Sequence, residues 1–321
     1  MINHAIKNIN YQIYRNNSFT QFAFPNTIVQ QIINIQNEYL NVTAKTAGAE
    51  LTSVFSKVQN KELLWNANAD FWPRHAPVLF PIVGKLKNNT FIHQEKHYQL
   101  PQHGFARDNN FELESQTENS LTFLLKSNAE TLLKYPFGFE LRLVYTLENN
   151  QLHTQYVVKN TGAETQYFSI GAHPAFMCPL FENEKLEDYY LVFEKPETLD
   201  RHLLADGLFD YSTESVLSHQ TELPLNEALF EKDAVVFKNM TSQKVILKSN
   251  KSNYTLEFTY SGFPHFGIWS KKDSGFLCLE PWCGYSDYVD ASGEIAEKQA
   301  IQSLEPQGVF ERTFSVKFSG F

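Results

Sequence analysis

From Val29 onward, apolar and polar residues alternate in short runs that Asn, Gly and Asp interrupt, the period of half-buried strands rather than of helices. Ile33 to Ile35 and Tyr39 to Thr43 flank a Gln-Asn-Glu turn, and Ala49 to Phe55 follows Gly48, which predicts an opening meander. Thr90 to His93 and Lys96 to Leu100 read as a hairpin about Gln94-Glu95. Phe111 to Leu113, Leu121 to Lys126, Glu140 to Leu147 and Gln151 to Lys159 continue as alternating strands, with Glu148-Asn149-Asn150 as the clearest turn. Asn128 to Tyr135 carries a short helical signal, with Asn128 as N-cap and Pro136 as stop.

Thr165 to Ile170 is a strand leading to His173. The alternation fades from Tyr189 to Leu225, and Asn226 to Glu231 suits a helical turn. Ala234 to Lys238, Lys244 to Lys248, Tyr254 to Thr259, Phe266 to Ser270 and Phe276 to Glu280 resume the strand rhythm, and Val309 to Phe318 closes the chain. No repeat of 20 to 50 residues and no Gly/Ser/Pro-rich linker divides it. The expectation is an all-β protein: residues 29–321 as a single domain, a large antiparallel β-sandwich, preceded by a polar, Asn-rich extension over residues 1–28.

Composition narrows the partners. The chain is 42% hydrophobic and 14% aromatic, enough rings to fill a core and line a groove as well. A formal net charge of −9 works against nucleic acid or an anionic membrane as partner and leaves a small molecule. Three cysteines without a CxxC pair suggest neither a disulfide framework nor a zinc motif, and suit a reducing cytoplasm. No apolar run approaches the roughly 18 residues of a membrane span, and no signal peptide is read at the N-terminus.

Three stretches carry chemistry. Gln102-His103-Gly104-Phe105-Ala106-Arg107 sets an imidazole and a guanidinium around a glycine, with Asp108 beside Arg107 as an alternative ion-pair partner for it. Gly171-Ala172-His173-Pro174-Ala175-Phe176 places an imidazole after a strand, where it can be aimed rather than buried. Leu279-Glu280-Pro281-Trp282-Cys283-Gly284 ends an apolar run on a carboxylate that Trp282 can desolvate. A histidine titrates near neutrality, as a proton donor and acceptor must. Phe71-Trp72-Pro73-Arg74-His75-Ala76-Pro77 reads as a loop bringing Trp72 and Arg74 to a surface, and Asp233 stands near the start of a strand. No GxxxxGK[ST], GxGxxG, HExxH or GxSxG is present.

These stretches together resemble the aldose 1-epimerases, or galactose mutarotases, and most of all their LacX-type branch. Gly48-Ala49-Glu50-Leu51, Arg74 to Gly84 and Tyr135-Pro136-Phe137-Gly138-Phe139 extend the likeness, which runs from about Ile35 to the C-terminus. The resemblance implies a β-supersandwich and interconversion of the α and β anomers of a hexose, with no metal or organic cofactor. It implies Glu280 as general base at the anomeric hydroxyl and His173 as general acid at the ring oxygen. His103 is implied as a polarising histidine, and Arg74 and Asp233 as contacts to sugar hydroxyls. Members acting on free galactose carry Asn-Arg-Ile and His-Gly-Gly where this chain has Gly84-Lys85-Leu86 and His103-Gly104-Phe105-Ala106-Arg107. The latter pattern is shared with hexose-6-phosphate epimerases, so a phosphorylated hexose held by some of Arg74, Lys85 and Arg107 is the second candidate substrate. A carbohydrate-binding protein without turnover stands as the alternative function. Glycoside hydrolysis, which needs two flanking carboxylates, would have only Asp233 to partner Glu280.

Overall fold

The computed structural model describes residues 30–320; the extension read over residues 1–28 lies outside them. The fold is all-β and antiparallel throughout its named sheets. A four-stranded meander, Ile32–Gln36, Leu40–Lys45, Leu51–Ser56 and Lys61–Glu62, opens the chain. Its strands show the buried and half-exposed alternation expected of a sheet with one face on the core.

The largest sheet has nine strands. Its clearest pair is Phe139–Glu148 and Gln151–Asn160, ten residues each, in unbroken register from Phe139 opposite Asn160 to Glu148 opposite Gln151. Every second side chain in both is buried, which is why their register is unambiguous: a slip of one residue would turn the whole apolar set to solvent. The final strand, Val309–Ser319, does not sit at an edge. It inserts between Gln151–Asn160 and Thr255–Thr259 and so joins the two halves of the sheet.

The second large sheet has six strands. Val235–Phe237, His265–Trp269, Phe276–Cys283, Ile170–Ala172 and Val78–Leu79 lie side by side, and Ala175–Met177 also pairs with Phe276–Cys283. The two sheets meet through rings: Phe258 of the nine-stranded sheet lies 6.1 Å from Phe176 and 6.0 Å from Phe266, and stacks on Phe314 at 5.3 Å. Edge-to-face and offset pairs at such spacings add to the burial that holds the layers together.

The short helix is Ala129–Lys134, capped as expected by Asn128, whose side chain accepts from the N–H groups of Glu130 and Thr131. Two expectations change. The faded region contains two 17-residue strands, Tyr189–Ala205 and Leu208–Pro224, which form a long hairpin at the edge of the nine-stranded sheet. Four register shifts interrupt its pairing and much of it is exposed on both faces, so no period of two survives in the sequence. The strand carrying Glu280 also runs on through Pro281 and Trp282 to Cys283, with all eight residues buried. Glu280 is therefore in mid-strand rather than at its end. Pro281 is tolerated because the partner on that side changes there, from Ala175–Met177 to Ile170–Ala172, and a missing N–H breaks no continuous ladder.

Candidate active site

That change of partner is also what creates the site. His173 and Pro174 occupy the gap between Ile170–Ala172 and Ala175–Met177, both of which pair with the Glu280 strand. The backbone is held from both sides: His173 N–H donates to the Pro77 carbonyl at 3.2 Å, and the Pro174 carbonyl accepts from Leu279 N–H at 3.3 Å. The imidazole is thereby delivered to the carboxylate, with His173 Nε2 3.4 Å from Glu280 Oε2.

A cleft of about 230 Å³ opens above this pair. Trp72, Trp269, Trp282 and Phe209 supply apolar walls, and Gln102, His103, Arg107, Asp233 and Ser286 add polar groups. Trp72 stacks on the His173 ring at 4.7 Å, and Trp269 meets it edge-on at 5.8 Å. The Trp72 loop is anchored from beneath by Glu50. That buried carboxylate accepts from the N–H groups of His75 and Ala76 and pairs with Lys45 Nζ at 2.6 Å. Trp282 lies flat because two glycines make room: a methyl group on Gly171 or Gly267 would approach its ring to 2.6 or 2.7 Å. Its indole N–H donates to the Ala172 carbonyl at 3.3 Å.

His103 enters from a tight turn with φ of +65° at His103 and +69° at Gly104. A methyl group on Gly104 would lie 2.3 Å from the Phe80 carbonyl oxygen, so only glycine fits there. His103 Nδ1 accepts from Gly84 N–H at 3.1 Å. A neutral ring then carries its proton on Nε2, leaving a hydrogen-bond donor as its free edge. Arg107 Nη2 donates to the Gln102 carbonyl at 2.8 Å. Its expected rival partner Asp108 is instead taken by Arg74 at 2.7 Å, with Arg107 Nε 3.8 Å away, and that Nε has no hydrogen bond.

Of the residues singled out in the sequence, His103, Arg107, His173, Asp233 and Glu280 line one cleft. Arg74 and Lys85 do not line it: Arg74 is committed to Asp108, and Lys85 Nζ donates to the Asp206 carbonyl at 2.8 Å. Trp269, Phe209 and Ser286 were not anticipated. Trp269 lay inside an expected strand, where an aromatic reads as core, and Phe209 comes from the hairpin that the pattern did not reveal. Backbone bonds to Asp287 and Val289 hold Phe209 in place, with Lys238 Nζ 3.8 Å from its ring centre.

Burial dominates the electrostatics. It raises the Glu280 carboxyl well above the usual carboxylate range, the negative charge of Asp233 adds to this, and the neighbouring Trp282 N–H pulls the other way. Burial lowers His173 to about 3, helped by the positive charges of Arg107 and Arg74. His103 is driven well below the ordinary histidine value, first by burial and then by His173, Arg107 and Arg74. Burial therefore favours the neutral form of each of the three groups, Glu280 toward its protonated form and the two imidazoles toward their unprotonated ones.

This fold is that of the galactose mutarotase-like proteins. The family model for aldose 1-epimerase matches residues 31–316, and the chain belongs to that family. Over 294 residues it is 38% identical to the plasmid form of protein LacX from Lactococcus lactis subsp. lactis, covering 88% of this chain and 98% of the relative. The crystal structure of a galactose mutarotase related enzyme from Lactobacillus acidophilus superposes with a TM-score of 0.86 at 37% identity, covering 90% of this chain and 97% of that one. A galactose mutarotase-like protein from Lactobacillus casei gives 0.85 at 30% identity, covering 90% and 100%.

The packing beneath the cleft is open to test. Gly267→Ala puts a methyl group against the Trp282 ring and is expected to cost about 1–3 kcal/mol by overpacking, measured by urea unfolding. A cost within about 0.5 kcal/mol, the range of a surface change, would mean that Trp282 is not wedged there.

Proposed function

We infer that this protein is a mutarotase, catalysing exchange between the α and β anomers of a hexose or hexose 6-phosphate. The observation that carries the reading is the 3.4 Å contact of His173 with Glu280 on the floor of an aromatic-walled cleft. Opening a hemiacetal removes a proton from the anomeric hydroxyl and adds one to the ring oxygen; closing on the other face reverses both. The catalyst must therefore hold one proton and exchange one, which is what a buried carboxyl–imidazole pair provides.

At rest, burial favours the proton on Glu280. A sugar hydroxyl donating to the carboxylate replaces its lost solvation and favours the charged form. The proton then passes to His173, whose Nε2 lies 3.4 Å from Glu280 Oε2. Glu280 takes the anomeric proton as base, and His173 gives its proton to the ring oxygen as acid. His103, neutral and presenting Nε2–H, polarises the same region. The walls of Trp72 and Trp269 give the flat, weakly polar face of a pyranose a surface to lie on, and Asp233 accepts from sugar hydroxyls.

One observation favours the phosphorylated substrate. Arg107 lines the cleft, and its ion pair with Asp108 is a long one at 3.8 Å, so its guanidinium has charge to offer an anion. Neutralising Arg107 would also ease protonation of His173, which its charge opposes. Arg74 and Lys85 serve such an anion only by leaving their present partners. The three cysteines are free and buried, which suits a cytoplasmic setting, and residues 29–321 act as one unit on this reading. A carbohydrate-binding protein without turnover is the rival reading.

Saturation-transfer NMR separates them. Anomer exchange of galactose, glucose or one of their 6-phosphates is expected to accelerate with the protein, and Glu280→Gln to lose about 10²–10⁴-fold of that rate while retaining sugar binding. Unchanged exchange for free and phosphorylated hexoses alike, with saturable binding, would establish the rival.

The pH dependence follows from the direction of each shift. A second proton on the pair removes the base, and with His173 lowered to about 3 that happens far on the acid side. Loss of the last proton removes the acid, and the raised Glu280 carboxyl places that limb above the usual carboxylate range. Epimerisation kcat/KM is therefore expected to show no acid limb between about pH 7 and about pH 5, where an ordinary histidine would titrate. An acid limb centred near the ordinary histidine value would contradict this.

A further inference from the structure

Beside the acid–base pair lies the thiol of Cys278, fully buried and outside the lining of the cleft. Cys278 and Glu280 stand two residues apart on the strand Phe276–Cys283, and the two-residue repeat of a strand turns both to the same face. His173 reaches them from the gap in the neighbouring strand. One donor atom from each, an imidazole nitrogen, a thiol sulfur and a carboxylate oxygen, lie within 4.8 Å of one another. The nitrogen and oxygen are already 3.4 Å apart. A zinc ion bonded at about 2.0–2.1 Å to each would hold them about 3.3 Å apart at the tetrahedral angle. Bringing the sulfur to its bond length of about 2.3 Å asks for a shift on the order of 1 Å, within reach of side-chain rotation.

Two further features fit a metal. Glu280 is 1% exposed, yet its Oε2 has no hydrogen-bond partner. A set of one nitrogen, one sulfur and one oxygen suits zinc, whereas calcium and magnesium seek oxygen alone. The spacing in the sequence could not show this set, because its third member comes from a different strand.

We propose that His173, Cys278 and Glu280 form a zinc-binding site that competes with the sugar and switches proton transfer off. Three protein donors leave a fourth coordination position open, and the ion occupies the lone pairs that would move protons. The thiol must lose its proton to bind Zn²⁺, so apparent affinity rises with pH. Inhibition rests on the epimerase reading; binding of the ion does not.

The test uses the full chain stripped with EDTA, titrated with Zn²⁺ by calorimetry and with Co²⁺ by absorption. One ion per chain is expected, with a thiolate-to-cobalt charge-transfer band, and anomer exchange that falls with Zn²⁺ and returns with EDTA. Cys278→Ala should keep anomer exchange, lose the band and bind zinc at least tenfold more weakly. Cys278→Ser gives the same readout with a side chain nearer in size, should the alanine variant fold poorly. Absence of binding by the wild type, or undiminished affinity in both variants, overturns the site. A cobalt band that depends on Cys278, in a protein without anomer exchange on any sugar, would uphold the site and remove the catalytic reading.

Discussion

The structure turns on one costly contact, a carboxylate and an imidazole held together where water is largely excluded. Left to itself, a buried carboxyl keeps its proton and a buried imidazole loses one. Glu280 and His173 are placed so that these tendencies oppose each other across 3.4 Å. On the proposed reading, neither group alone would suit a reaction that takes a proton from one oxygen of the anomeric carbon and gives one to the other. Together they would hold a proton that is poised rather than fixed, one that the hydroxyls of a bound sugar could move.

Everything around the pair maintains that balance. Trp72 stacked on His173, Trp269 on its edge and Trp282 beneath Glu280 keep the contact dry. Each wall has its own support. Gly171 and Gly267 allow the Trp282 ring to lie across the sheet, and Glu50 ties down the backbone of the loop that carries Trp72. The positive side of the cleft is graded in the same way. Asp108 holds Arg74, which leaves Arg107 turned toward the opening, close enough for its charge to bear on His173.

How much could be read in advance depended on where each residue's partners lie. Phe139–Glu148 and Gln151–Asn160 were legible because one face of each is buried along its whole length. The hairpin of Tyr189–Ala205 and Leu208–Pro224 was not, since bulges and two-sided exposure erase the period on which such reading depends. The site divides similarly. His103, His173 and Glu280 stand beside glycine or proline in stretches that local strand-building does not explain, and so they could be picked out. Trp269 resembles an ordinary strand aromatic, and Phe209 arrives from the unreadable hairpin. Arg74 and Lys85 announce charge, but a sequence does not say that Asp108 and the Asp206 carbonyl already hold them.

The central claim is that the catalytic pair carries a single proton because burial has pushed its two members past each other. The most direct test is a pH titration of the free protein by ¹⁵N NMR of the His173 imidazole, assigned with a His173→Gln variant. The account predicts a neutral ring throughout the range from about pH 7 to about pH 5, with protonation only at far lower pH. A His173 resonance that titrates with a midpoint near 6.5, the ordinary histidine value, would contradict it.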